Sequence, residues 1–88
     1  MLTLLLVDDD ADILRGLEKT INWQQCGITK IVTAQNGLEA LRITEKMPID
    51  IMITDVKMPG MDGLKLTETL RAQGSPIEVI LLSGFADF

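Results

Sequence analysis

Eighty-eight residues, with 13 acidic and 8 basic side chains, no histidine and a net charge of −5, leave room for one domain and disfavour a direct grip on nucleic-acid phosphate or anionic lipid. The apolar fraction is 47% but the aromatic fraction only 3%, so the core must be built of Leu, Ile, Val and Met, as suits parallel strands buried between helices. Cys26 is the one cysteine and the apolar run Leu2 to Val7 is too short to span a bilayer, so an internal disulfide is excluded and a reducing cytoplasm is the expected setting.

Met1 to Val7 reads as a buried strand that stops at Asp8-Asp9-Asp10. From Ala11 the apolar residues Ile13, Leu14, Leu17 and Ile21 fall at helical spacing, with Gly27 as the expected terminator. Asp10 and Asp12 suit the start of that helix electrostatically. Trp23 is expected to be a partly buried packing residue or turn anchor, and Cys26 a small filler before the turn. Lys30 to Ala34 is a short second strand. In Asn36-Gly37-Leu38-Glu39 a capping residue stands three positions before Glu, which opens a second helix with Leu38 and Leu41 expected to face inward. That helix ends at Met47-Pro48, because proline disfavours helical backbone in the residue before it.

Ile49 to Asp55 has the length and branched apolar content of a strand covered on both faces, and it ends on a carboxylate. Asp50, at the opposite end of this strand, is assigned no chemistry. After the loop Val56 to Gly63, Asp62 is expected to cap a third helix carrying Leu64, Leu66 and Leu70 and ending at Gly74-Ser75-Pro76. Ile77 to Leu82 is the fourth strand, followed by Ser83-Gly84. The order β-α-β-α-β-α-β predicts a parallel sheet with right-handed crossovers and helices on both faces.

All strand exits then share one edge of the sheet, where open α/β folds place their ligands. Asp8, Asp9, Asp55 and Ser83 meet there. Crowded carboxylates raise one another's pKa unless a cation neutralises them, and a hard divalent cation such as Mg2+ takes oxygen ligands of this kind. A carboxylate beside that metal can act as a nucleophile toward phosphorus, and a hydroxyl such as that of Ser83 can donate to a phosphoryl oxygen. The plainer alternative stays open at this point: acidic residues after a strand often cap the next helix, and Ser-Gly is a common turn.

Leu5-Leu6-Val7-Asp8-Asp9-Asp10, Ile53-Thr54-Asp55-Val56-Lys57-Met58-Pro59-Gly60-Met61-Asp62-Gly63 and Leu81-Leu82-Ser83-Gly84 resemble, in order and spacing, the receiver domain of two-component response regulators. Ala34 to Leu41 is similar to that family's opening of its second helix. The resemblance implies a flavodoxin-like α/β fold with an open parallel sheet in the order 2-1-3-4. It implies that Asp55 accepts a phosphoryl group from a histidine kinase or phosphotransfer protein and that Ser83 contacts that group and moves in the switch. It further implies that Asp9, Asp55 and the Lys57 backbone carbonyl bind Mg2+ directly while Asp8 acts through water, with Met58-Pro59-Gly60 and Gly63 shaping the backbone beside the metal. Packing within the loop is the expected role of the Met58 and Met61 side chains.

The resemblance stops at Gly84-Phe85-Ala86-Asp87-Phe88, so the chain reads as a C-terminally truncated receiver, residues 1–88, lacking the family's fifth strand and last helices. A lysine and a switch aromatic that the family carries on or after that strand would be absent with it. The apolar fourth strand is then expected to be an edge, through which the chain forms a homo-oligomer. Two rival functions are open to the sequence. A phosphorylation-independent dimerisation or interaction module is compatible with such an edge. A magnesium-dependent phosphohydrolase is disfavoured, because no insertion is long enough for a lid over a substrate, and the chain is therefore expected not to be an enzyme. Any DNA-binding output would lie outside this segment.

Overall fold

The structure, a computed structural model, describes residues 1–82. In chain order the elements are β1 (Leu2–Val7), α1 (Ala11–Thr20), a 3-10 turn (Trp23–Cys26), β2 (Ile28–Ala34), α2 (Gly37–Lys46), β3 (Ile51–Asp55), α3 (Gly63–Ala72) and β4 (Glu78–Leu82). The strands form one parallel sheet in the order β2-β1-β3-β4, the flavodoxin-like arrangement expected from the sequence.

Alternation along the central strands sorts the core into two layers. Leu5, Val7 and Met52 point to the side where Ala40 of α2 and Leu66 and Leu70 of α3 cover them, together with Ile49, Met58 and Ile77. Leu4 and Leu6 point to the other side, against Leu14 and Leu17 of α1, Trp23 and Ile28. Each layer closes over the same two strands, so β1 is buried on both faces and the residues that follow it are held firmly.

The helix boundaries follow from local chemistry. The Asp10 carboxylate accepts from the Asp12 and Ile13 N–H groups at the start of α1. The Asn36 side chain accepts from Glu39 N at 2.8 Å, and that of Asp62 from Lys65 N at 2.8 Å. Each satisfies a donor that the first helical turn leaves unpaired. α3 ends in a Schellman turn: Ser75 N donates to Leu70 O and Gly74 N to Arg71 O, both at 3.0 Å, with Gly74 at φ +78°. Asp50 is structural, its carboxylate accepting from Thr3 N at 2.8 Å at the end of the sheet remote from Asp55.

Several side chains lie elsewhere than their spacing suggested. Leu38 is 58% exposed, Leu64 50%, Ile13 47% and Ile21 40%, because each helix has only one layer of sheet beneath it and residues at the margin of the apolar stripe reach past it. Ala40 and Gly37, rather than Leu38, are buried on α2. α1 ends at Thr20, and Gly27 terminates the 3-10 turn instead, its N–H donating to Gln24 and Trp23 carbonyls. Trp23 is half-buried and its indole N–H donates to Leu17 O at 3.0 Å, as a turn anchor would. Cys26 is exposed in that same turn. No helix among the described residues is long and apolar enough to cross a membrane.

Candidate functional site

β1 leads to β2 on one side, and the chain then crosses back over β1 to β3 on the other. The connections leaving β1 and β3 therefore diverge, which opens a crevice at the carboxyl ends of these two strands. Asp8 and Asp9 follow β1 directly and Asp55 is the last residue of β3. One carboxylate oxygen from each of the three lies within 4.8 Å of the others.

Their surroundings differ. Asp8 is buried, 7% exposed, Asp55 half-buried and Asp9 exposed. Asp8 Oδ1 accepts from Asp10 N at 2.9 Å, and Asp8 N donates to Ala34 O at 3.1 Å, so backbone bonds fix it from both directions. Burial pushes the Asp8 carboxyl pKa up, and the charges of Asp55 and Asp9 and a hydrogen bond with Asp9 push the same way, against the bond from Asp10 N. Its folded-state pKa therefore lies above the unfolded value, so the stability it contributes at low pH is lost as pH rises from the ordinary aspartate range through the raised value. Asp8→Asn, which keeps the acceptor for Asp10 N, is expected to abolish this decline and to raise the metal-free melting temperature by a few degrees at neutral pH. Thermal melts of both chains across the acid range check it; identical pH profiles would contradict it.

The backbone of Asp55 is held from several sides. Val56 N donates to Leu82 O at 3.0 Å, the buried Thr54 hydroxyl to Asp55 O at 3.1 Å, and Gly63 N to Val56 O at 2.9 Å. Gly63 packs against the Asp55 carbonyl so tightly that no Cβ fits between them. Lys57 is exposed, and its N–H reaches toward Asp55 Oδ1 at 3.4 Å. Met58 is buried and Met61 half-buried in the core layer under α2 and α3, in keeping with loop packing. Ser83 lies outside the described residues.

The donor set suits a hard cation: three carboxylate oxygens, one on a buried residue whose charge is costly without a counter-charge. The structure thus brings together Asp8, Asp9 and Asp55, with Lys57 alongside. Two contributors were not legible in advance. Thr54 reads in sequence as one more strand residue, and Gly37 as part of a cap; only the fold puts Thr54 on the Asp55 carbonyl and Gly37 against Met61.

The family model for the response regulator receiver domain matches residues 4–88. The transcriptional regulatory protein YesN of Bacillus subtilis strain 168, itself uncharacterised, is 47% identical over 89 residues, a match that takes in 100% of this chain and 24% of that protein. Among solved structures, a two-component transcriptional regulator AraC from Clostridium phytofermentans superposes with a TM-score of 0.89 at 36% identity, over 99% of this chain and 67% of that one. The REC domain of the response regulator AraT from Geobacillus stearothermophilus gives 0.88 at 30% identity, again over 99% and 67%. The chain spans about a quarter of the length of YesN.

Proposed function

The chain belongs to the response regulator receiver domain family, and from that premise we propose that it is a phosphorylation-controlled signalling domain in which Asp55 accepts a phosphoryl group from a histidine kinase or phosphotransfer protein. The observation that carries this reading is the convergence of Asp8, Asp9 and Asp55 at the divergence between β1 and β3. Of the three, Asp55 combines partial exposure with a backbone fixed by Thr54, Leu82 and Gly63, as a nucleophile approached by a partner protein must.

In the transfer, an Asp55 carboxylate oxygen forms a bond to phosphorus as the donor's phosphorus–nitrogen bond breaks; the electron pair of that bond returns to the ring nitrogen, and with a proton on its other ring nitrogen the histidine leaves as neutral imidazole. Asp9, Asp55 and the Lys57 carbonyl would hold Mg2+, with Asp8 acting through water. When bound, the metal supplies positive charge that offsets both the clustered carboxylates and the incoming phosphoryl oxygens. Ser83 would donate to one of those oxygens. The product adds roughly −1.5 to −2 charge at the end of β3, which biases the surface around it. The domain acts in the cytoplasm without itself binding DNA, and an output domain in the intact protein would receive the signal.

Incubation with Mg2+ and a small phosphodonor is expected to add one phosphoryl group, seen by intact mass, and chelation of the metal to prevent it. Equal uptake with and without metal, or uptake of none by folded chain, would contradict the proposal.

One observation favours a second activity. Ile80, Leu81 and Leu82 of β4 are 48, 38 and 43% exposed, and among the described residues β4 pairs with β3 alone. An apolar strand edge of this kind templates association. The 88-residue chain is therefore expected to dimerise at high micromolar concentration, whether or not Asp55 is phosphorylated; a monomeric mass in light scattering would contradict this.

A further inference from the structure

The loop from Val56 to Gly63 joins Asp55 to α3, and it is pinned at a second point besides Gly63. Gly37, the first residue of α2, is buried. A Cβ placed on it would lie 2.8 Å from both Cβ and Cγ of Met61 and 2.9 Å from its Sδ, closer than side chains approach. The Met61 side chain therefore rests on bare α2 backbone, with its other side in the core layer that contains Ala40, Met58 and Leu66. Asp62, the next residue, caps α3, and Gly63 follows, its N–H bonded to Val56 O and its Cα side against the Asp55 carbonyl. Two residues thus separate the Met61 seat from the backbone of Asp55. Because the Met61 Cβ, set by the loop backbone, is as close as the atoms beyond it, a rotamer change alone does not relieve the contact and the loop must move.

We propose that Met61 is a positioning residue for the acidic site: seated on Gly37, its side chain holds the Val56–Gly63 loop in the register that keeps Asp55 and Lys57 beside Asp8 and Asp9. The contact makes α2 part of the acceptor machinery, although none of its side chains reaches the carboxylates. The consequence for metal and phosphoryl binding rests on the function proposed above; the latch itself rests on packing.

A double-mutant cycle with two readouts separates these. Wild type, Gly37→Ala, Met61→Gly and the double variant are compared by amide hydrogen exchange at Lys57 and Gly63 without metal, and by calorimetric titration with Mg2+. Gly37→Ala is expected to speed exchange at both amides and to weaken Mg2+ binding about tenfold, the scale of losing support behind a metal ligand. In the Met61→Gly background, which removes the Met61 Cβ as well as the atoms beyond it, the same substitution should do neither, and should raise the melting temperature, because alanine is the better helix former once the clash is gone. A purely structural role would give the same loss in both backgrounds, and that result, or no loss in the wild-type background, overturns the proposal. Should Gly37→Ala alone fail to fold, folding of the double variant supports the latch and its failure overturns it. Exchange coupling without Mg2+ binding by the wild type would sustain the latch and sink the functional reading; Mg2+ binding without coupling would do the reverse.

Discussion

Asp55→Asn is expected to reduce phosphoryl uptake below detection while leaving the fold intact and the metal-free chain at least as stable as wild type. The amide nitrogen is a poor nucleophile and no acyl phosphate can form on it, so the chemistry ends with the carboxylate. The fold does not depend on that carboxylate. The Asp55 backbone is held by the ladder to β4, by the Thr54 hydroxyl and by Gly63, and the bond that its side chain accepts among the described residues, from Lys57 N to Oδ1 at 3.4 Å, survives in asparagine. Removing one of three clustered charges also relieves the repulsion that helps raise the Asp8 pKa. Intact mass after incubation with phosphodonor and a thermal melt of the same sample measure both halves. Undiminished uptake would transfer the role to another carboxylate.

Gly63→Ala carries the largest expected cost in stability, about 3 kcal/mol, at the upper end for overpacking. The new Cβ would meet the Asp55 carbonyl oxygen, and would lie 3.1 Å from both the Asp55 carbonyl carbon and Val56 Cα. All three are backbone atoms of the site, so relief requires β3 and α3 to separate. Helix propensity works the other way, favouring alanine by ~1 kcal/mol, which makes the sign of the result decisive. Gly16 is the control: exposed, within α1, and with nothing within 4 Å of a built Cβ. Gly16→Ala is expected to stabilise by roughly 0.5–1 kcal/mol. Urea melts of the two variants should move in opposite directions; movement in the same direction would contradict the packing described for Gly63.

The strand exits were legible in the sequence because they rest on rules with little context dependence. An apolar run that stops dead at Asp8-Asp9, and another that stops at Asp55, have one sensible meaning once the strands are parallel. The caps Asn36 and Asp62 and the terminators Pro48 and Gly74 were legible for the same reason. Leu38 was misread as inward-facing, and Leu64 and Ile13 are likewise exposed, because periodicity identifies which residues share a face, while the width of the covered stripe depends on how many layers meet there. β2 begins at Ile28 rather than Lys30, since on a strand at the sheet's edge Thr29 and Lys30 can face solvent without breaking the ladder. The contact of Gly37 with Met61 had no local signal at all, as it joins residues whose proximity only the tertiary fold creates.

In the transfer proposed above, one particular carboxylate of the cluster forms the acyl phosphate. Trapping tests it most directly: the chain is treated with phosphodonor and Mg2+, the acyl phosphate is reduced with borohydride, and the converted residue is located by peptide mass spectrometry. Conversion of Asp55 to homoserine, with Asp8 and Asp9 unchanged and no conversion without Mg2+, is the expected result. Conversion at Asp8 or Asp9, or none in a folded chain, would contradict the account.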